Sequence, residues 1–214
     1  MPRNDPLKKD FNLNCLRIIR TVYPKQSRTV EQDVPLYFFE NCAIIKAERR
    51  GCALHFGFSY IGLLWLLMLY VPNLLWTKRQ PANYATYAKN ENRVLLALER
   101  VGEVLVTGAA VFFSDFNPRF PLSPWSLWLG GSLLLMLLYE VFWIRYFMSQ
   151  RTMRDFYRSL FFVPVPGATL PVLAFLLLAT YGGNIVLLVS TLILGVGHIG
   201  IHVGHLKEIR EEGK

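Results

Sequence analysis

The sequence predicts an all-α protein: five transmembrane helices in a polytopic bundle, the fourth of them interrupted by proline. Three observations lead there. The chain of 214 residues is 53% hydrophobic and only 18% charged. Its apolar residues come in long blocks, not in short alternating runs. Its cations gather in every second connection between those blocks. A hydrocarbon layer about 30 Å thick takes roughly 20 apolar residues of helix to cross. A water-soluble helix would instead show a continuous polar face, and none of the blocks has one.

Five blocks reach the required length. The first runs from Cys52 to Trp76, "CALHFGFSYIGLLWLLMLYVPNLLW". The second covers Val94 to Phe113 and the third Trp125 to Met148. The fourth covers Ser159 to Tyr181 and contains Pro164, Pro166 and Pro171. A proline costs a soluble helix about 3 kcal/mol, but a spanning helix tolerates it where neighbours satisfy the freed carbonyls. The fifth covers Asn184 to Leu206. Trp125 and Trp128 at one end of the third block, with Trp143 and Tyr146 towards the other, fit interfacial aromatic belts. A membrane domain over residues 52–206 and a charged tail over 207–214 are therefore expected.

The net charge of +8 is explained by topology and does not point to nucleic acid. Cytoplasmic loops of membrane proteins accumulate Lys and Arg. Lys78, Arg79, Lys89 and Arg93 follow the first block; Arg145, Arg151, Arg154 and Arg158 surround the end of the third; Lys207, Arg210 and Lys214 form the tail. All of these fall on one side of a five-helix protein. The opposite connections hold only Arg119, in "SDFNPRFPLS", and no cation in "YGGN". The domain is thus expected to start outside and to end with its C-terminus in the cytoplasm.

Residues 1–51 break the pattern. They are polar and basic, with ten Lys or Arg among the first fifty, and lack the charged-then-apolar order of a secretory signal. Cys15, Cys42 and Cys52 match no zinc spacing. A basic segment prefers the cytoplasm, yet the loops put the start of the first helix outside. The genetic code offers one resolution. "ERRG" at Glu48 to Gly51 can be encoded by a purine run containing AGGAGG, the ribosome-binding sequence of bacterial messages, and Leu54 by a TTG or CTG start codon. The native product would then begin near "LHFGFSY". The rival is a genuine cytoplasmic arm with inverted or dual topology.

Ionisable residues inside spanning helices are costly and mark functional sites by default. At 1.5 Å of rise per residue, Glu99 lies roughly 8 Å and Glu103 roughly 14 Å below the cytoplasmic start of the second helix. Four residues apart, they point the same way, and Arg100 is near enough to pair with Glu103. Glu140 of the third helix lies roughly 12 Å from the same side. His198 of the last helix sits at a similar depth, with His202 and His205 nearer the surface. These groups share the cytoplasmic half. Their spacing puts the three histidines on one stripe of the helix and Gly197, Gly200 and Gly204 on another. Gly200 and Gly204 form a small-xxx-small pair that lets another helix approach, from within the chain or from a homo-oligomer or membrane partner. His205 is read as interfacial and wet.

His198, His202, Glu99, Glu103 and Glu140 form a mixed imidazole and carboxylate set of the kind that binds Zn, Fe or Mn. Glu103, His198 and Arg100 equally suit a proton or ion path, since imidazole titrates near neutral pH. A structural polar network is the third reading of the same residues. His55 lies at the outer end and cannot join the three other histidines.

No P-loop, G-x-G-x-x-G, G-x-S-x-G, H-E-x-x-H or C-x-x-C-H occurs, so the common nucleotide, hydrolase, zinc-protease and c-type haem signatures are missing. "HIGIH" is similar to the H-x-x-x-H helix of seven-helix hydrolase-like membrane receptors, whose other serine, histidine and aspartate residues have no counterpart here. Through "FSYIGLLWLLMLYVPN", "LERVGEVLVT", "LLYEVFWIRYF" and "GHIGIH", residues 54–206 resemble a group of small uncharacterised multi-pass membrane proteins of bacteria. That resemblance implies a plasma-membrane location and no particular activity.

Three functions are therefore expected of the chain. The first is small-solute or ion transport through a cytoplasm-facing Glu/His cavity. The second is a membrane metalloprotein, enzymatic or not, using the same set as ligands. The third is a non-catalytic membrane component associating through its glycine face.

Overall fold

Residues 54–212 are described by a computed structural model; the N-terminal segment, its three cysteines and the expected start at Leu54 concern residues outside that range or at its edge. Described residues form helices α1 (Tyr60–Thr77), α2 (Tyr84–Ala88), α3 (Arg93–Phe112), α4 (Leu127–Met148), α5 (Met153–Tyr157), α6 (Pro166–Gly182) and α7 (Ile185–Glu212). Short 3-10 turns at Ser114–Phe116 and Pro124–Ser126 complete them, and no strand is present among these residues.

Three helical stretches are long and apolar enough to cross a membrane: Tyr60–Thr77, Pro124–Met148 and Ile185–Glu212. Five were expected, and the two shortfalls have different physical causes. Helix α6 is apolar but has 17 residues, because the chain does not become helical until Pro166. Its predecessors Leu160 and Val163 pair across a tight turn, and Val165 takes a left-handed conformation before the helix starts. Pro166 then occupies the first turn, where its missing N–H costs nothing. Pro171 lies within a continuous helix rather than interrupting it. Helix α3 has 20 residues, but it carries Arg93, Glu99, Arg100 and Glu103 between its start and its middle.

Local signals set most of the boundaries. The Ser59 hydroxyl accepts from the Gly62 amide and caps α1. The Asn92 side chain accepts from the amides of Val94 and Leu95 at the start of α3. Thr152 and Asp155 cap the short α5 reciprocally. The first block is not helical from Cys52. Residues 55–59 instead run antiparallel to residues 111–114, with Gly57 and Ser59 amides donating to the Phe112 and Val111 carbonyls at 3.0 Å. Helix α7 runs on without a break through the charged tail to Glu212.

The long helices alternate in direction, so their ends form two groups. At one end, Asp115 after α3 accepts hydrogen bonds from the backbone of His55 and from Asn184, which opens α7. Its other oxygen lies 2.6 Å from Nδ1 of His55. Asp115 is only 2% exposed, and this clasp ties three connections together. Trp125 ahead of α4 donates to the Tyr181 carbonyl at the end of α6. At the opposite end the Tyr146 hydroxyl donates to the Arg79 carbonyl, and the Tyr87 hydroxyl donates to Glu212. The connections rich in cations meet here.

Helices α3 and α7 pack most closely, through glycines on both sides. A methyl group on Gly102 would stand 2.5 Å from Cα of Leu194, and one on Gly197 would collide with the backbone at Glu99. The interior is joined by a short polar line: the Trp65 indole donates to the Ser132 hydroxyl, which donates to the Ala174 carbonyl, each at 2.7 Å. An aromatic cluster of Tyr139, Phe142, Trp143, Tyr146 and Phe156 fills the space between α4 and α5.

Candidate functional site: a one-ended Glu/His cavity

A cavity of about 510 Å³ lies among the long helices, confined to the end opposite the Asp115 clasp. Its lining takes residues 69–80 from the first helix and its exit, 96–107 from α3, 167–175 from α6 and 194–202 from α7. The confinement follows from how α1 crosses α3. At the clasped end Gly62 lies against the Ala110 carbonyl with no room for a side chain, so the two backbones touch there. Towards the other end Tyr70 and Thr107 bridge the gap by their hydroxyls, with Thr107 donating to the Glu103 carbonyl. Beyond that point the interior space opens.

Glu99, Arg100, Glu103, His198 and His202 all line this cavity. Nδ1 of His198 lies 2.5 Å from Oε1 of Glu99, so the deepest imidazole and the upper carboxylate share a proton position. Arg100 reaches Glu103 at 3.2 Å. Its side chain is 70% exposed, against 38% for Glu103, so this ion pair is more open than that of Glu99 and His198. Glu140 does not belong to the group; it is absent from the cavity lining, and its Oε1 is buried without a hydrogen-bond partner.

The remaining histidines form a second cluster around a residue to which the sequence assigns no role. The Tyr157 hydroxyl lies 2.9 Å from Nδ1 of His202 and 2.7 Å from Nδ1 of His205. One hydroxyl carries one proton. It donates to one imidazole and accepts N–H from the other, so two neutral rings here must be opposite tautomers. Burial, reinforced by Tyr84 and Glu91 nearby, pushes the Tyr157 phenol up and keeps it protonated. His205 is 3% exposed, not wet as expected, because the α2 segment folds over it with the rings of Tyr84 and Tyr87 edge-on. Its Nε2 faces Glu91 at 3.4 Å without the alignment of a hydrogen bond. Burial also holds the Glu91 carboxyl above the usual carboxylate range.

The rings of His198 and His202 meet edge to face, 4.6 Å between centroids. A continuous series therefore runs from Glu91 near the loop surface through His205, Tyr157, His202 and His198 to Glu99. Among the described residues no three His, Cys, Asp or Glu side chains are grouped so as to hold a metal ion. Of the glycines, Gly197 meets the α3 backbone and Gly200 the Leu95 side chain, whereas a side chain at Gly204 would meet nothing within 4 Å. The glycine face is thus occupied inside the chain over its first two members. Tyr157, Tyr84 and Glu91 were not legible as site residues, since they lie in short connections where no helical periodicity announces which way they point.

The described residues are all-helical, with three helices of membrane-spanning length and composition and a largely apolar cavity that carries Glu99, Arg100, Glu103, His198 and His202 in its wall. No protein-family model matches the chain, and neither a curated protein nor a solved structure matches it.

Proposed function

We propose that the chain is a five-span integral protein of the bacterial plasma membrane that moves a small solute or ion, with the Glu/His cavity facing the cytoplasm. Helices α3 and α6 supply the two spans beyond the three that meet length and composition alone. The polar first half of α3 faces the cavity, and α6 is nearly long enough to cross. The placement of cations supports this orientation: the cavity end collects the basic connections, and the clasped end carries Arg119 alone among the described Lys and Arg. The domain starts outside and its C-terminus is cytoplasmic.

One observation carries the transport reading. Ionisable groups from two helices, Glu99 with His198 and Glu103 with Arg100, line a single cavity confined to the half of the bundle away from the contact of Gly62 with Ala110. Spanning helices bear the cost of such groups where a substrate or proton must be received. Glu99 and His198 hold an exchangeable proton inside the cavity. His202, Tyr157 and His205 connect it to Glu91 at the rim by hydrogen bonds and ring contacts.

Reconstitution into liposomes with a trapped pH-sensitive dye tests the proposal. An imposed proton gradient or membrane potential should drive flux that falls at least tenfold in Glu99→Gln and His198→Ala. Flux equal to that of empty liposomes, or unchanged in both variants, would overturn it. Elemental analysis of the untagged protein is the complementary measurement: stoichiometric Zn, Fe or Mn lost in both variants would favour the metalloprotein reading instead.

A further inference from the structure

The chemistry of the cavity wall points to a kind of ligand, an inference that rests on the transport reading above. Three carboxylates line the space, Glu91, Glu99 and Glu103, against one permanent cation, Arg100. Arg100 is already engaged by Glu103 and directed to the outside. Glu91 and Glu99 face imidazoles, which add no fixed positive charge when neutral. With the imidazoles neutral, the formal charge of the lining is therefore negative, in a space of about 510 Å³, far larger than a bare or hydrated metal ion needs.

Part of the remaining wall is aromatic, beside aliphatic residues such as Leu69, Val106 and Ile201. Trp76, Tyr84 and Trp143 line the same cavity, with Phe156 between them. Trp76 stands edge-on to Tyr84, 4.8 Å between ring centroids, and stacks on Phe156 at 5.5 Å. Ring faces attract cations by their quadrupole, most strongly where water is excluded, and aromatic cages are a recurring way to hold quaternary ammonium groups. Apolar walls with a few placed polar groups also suit an organic molecule better than an inorganic ion. An inorganic anion would meet the wrong sign of charge, and a neutral apolar molecule would make no use of the carboxylates.

We infer that the cavity between α1, α3 and α7 binds an organic cation of amphiphilic character, its positive group between Glu99 and Glu103 and its apolar part against Trp76, Tyr84 and Trp143.

Tetraphenylphosphonium and tetraphenylborate have nearly the same size and shape and opposite charge, so the pair separates a charged site from greasy partition. Equilibrium dialysis of the purified full chain in detergent should show saturable tetraphenylphosphonium binding near one per chain and no saturable tetraphenylborate binding. Glu103→Gln should weaken tetraphenylphosphonium at least tenfold, and Glu99→Gln by as much or more. Equal binding of the two probes, or undiminished phosphonium affinity in a folded Glu103→Gln variant, would overturn the inference. Uptake separates this from the transport reading. Saturable phosphonium binding without uptake into liposomes would keep the ligand class and remove transport. Glu99-dependent proton flux without phosphonium binding would keep transport and remove the ligand class.

Discussion

Nδ1 of His198 lies 2.5 Å from Oε1 of Glu99, joining the last helix of the chain to α3 at the point where Gly197 lets the two backbones touch. The two facts are one arrangement. A side chain at position 197 would push α7 away from α3, and the imidazole one residue on would no longer reach the carboxylate.

Gly197→Ala should therefore be costly and Gly204→Ala should not. At Gly197 the added methyl meets α3 backbone, which cannot give way as a flexible side chain can. Overpacking of this kind costs about 1–3 kcal/mol. At Gly204 the methyl enters open space, and the gain in helix propensity of up to about 1 kcal/mol should show instead. Thermal unfolding in detergent should order the three proteins as Gly204→Ala, then the parent, then Gly197→Ala, with the last lowest. Equal midpoints for the two variants would contradict the packing described.

The Glu99 and His198 side chains should be energetically coupled. Hydrogen bonds between spanning helices are typically worth roughly 1 kcal/mol in double-mutant cycles, since the unfolded state in the membrane also finds partners. A cycle of Glu99→Gln and His198→Gln should return a coupling of about that size. A value indistinguishable from zero would mean that the contact is not made.

Removing the Tyr157 hydroxyl should release both of its imidazoles. Tyr157→Phe leaves the ring packing in place but strips Nδ1 of His202 and of His205 of their common partner, at a cost of about 1–3 kcal/mol for unsatisfied buried groups. Nitrogen NMR of labelled histidine offers a sharper measurement. The parent should show His202 and His205 as opposite tautomers, and the variant should lose that complementarity. Two rings of the same tautomer in the parent would contradict the shared hydroxyl.

Asp155 predicts a stability change on the acid side. Hydrogen bonds from the Thr152 amide and hydroxyl hold its carboxyl below the ordinary value. A depressed folded pKa contributes stability that is present above the unfolded value, near 4, and is lost as pH falls through the folded one. The parent should lose more stability than Asp155→Asn between pH 5 and pH 2, measured by unfolding midpoints in detergent. Parallel curves for the two proteins would rule this out.

Much of the site's composition was readable in advance. Helical rise places Glu99, Glu103 and His198 in the same half of the helices, and spacing places Glu99 and Glu103 on one face, so their lining one cavity is consistent with that arithmetic on α3 and α7. Glu140 obeys the same arithmetic and lies elsewhere. Depth along a helix is a one-dimensional quantity, and which way α4 is rotated depends on its aromatic packing against α1, α5 and α6. His205 was misjudged for a related reason: nearness to the helix end suggested water, but the α2 connection folds over it. Its spacing of three from His202 was the available signal, since that put both rings within reach of one side chain.

The sequence by itself determined the helical class, the apolar stretches long enough to span, and the gathering of cations in alternate connections, because hydrophobicity and charge along a helix need no knowledge of neighbours. Only the tertiary structure decided that α1 and α3 meet at one end and part at the other, that Tyr157 serves two histidines, and that Gly197 rather than Gly204 sets the approach of α7. Those outcomes depend on rotation about helix axes and on the folding back of short connections. Both are set by contacts between residues far apart in the chain, where no local pattern records them.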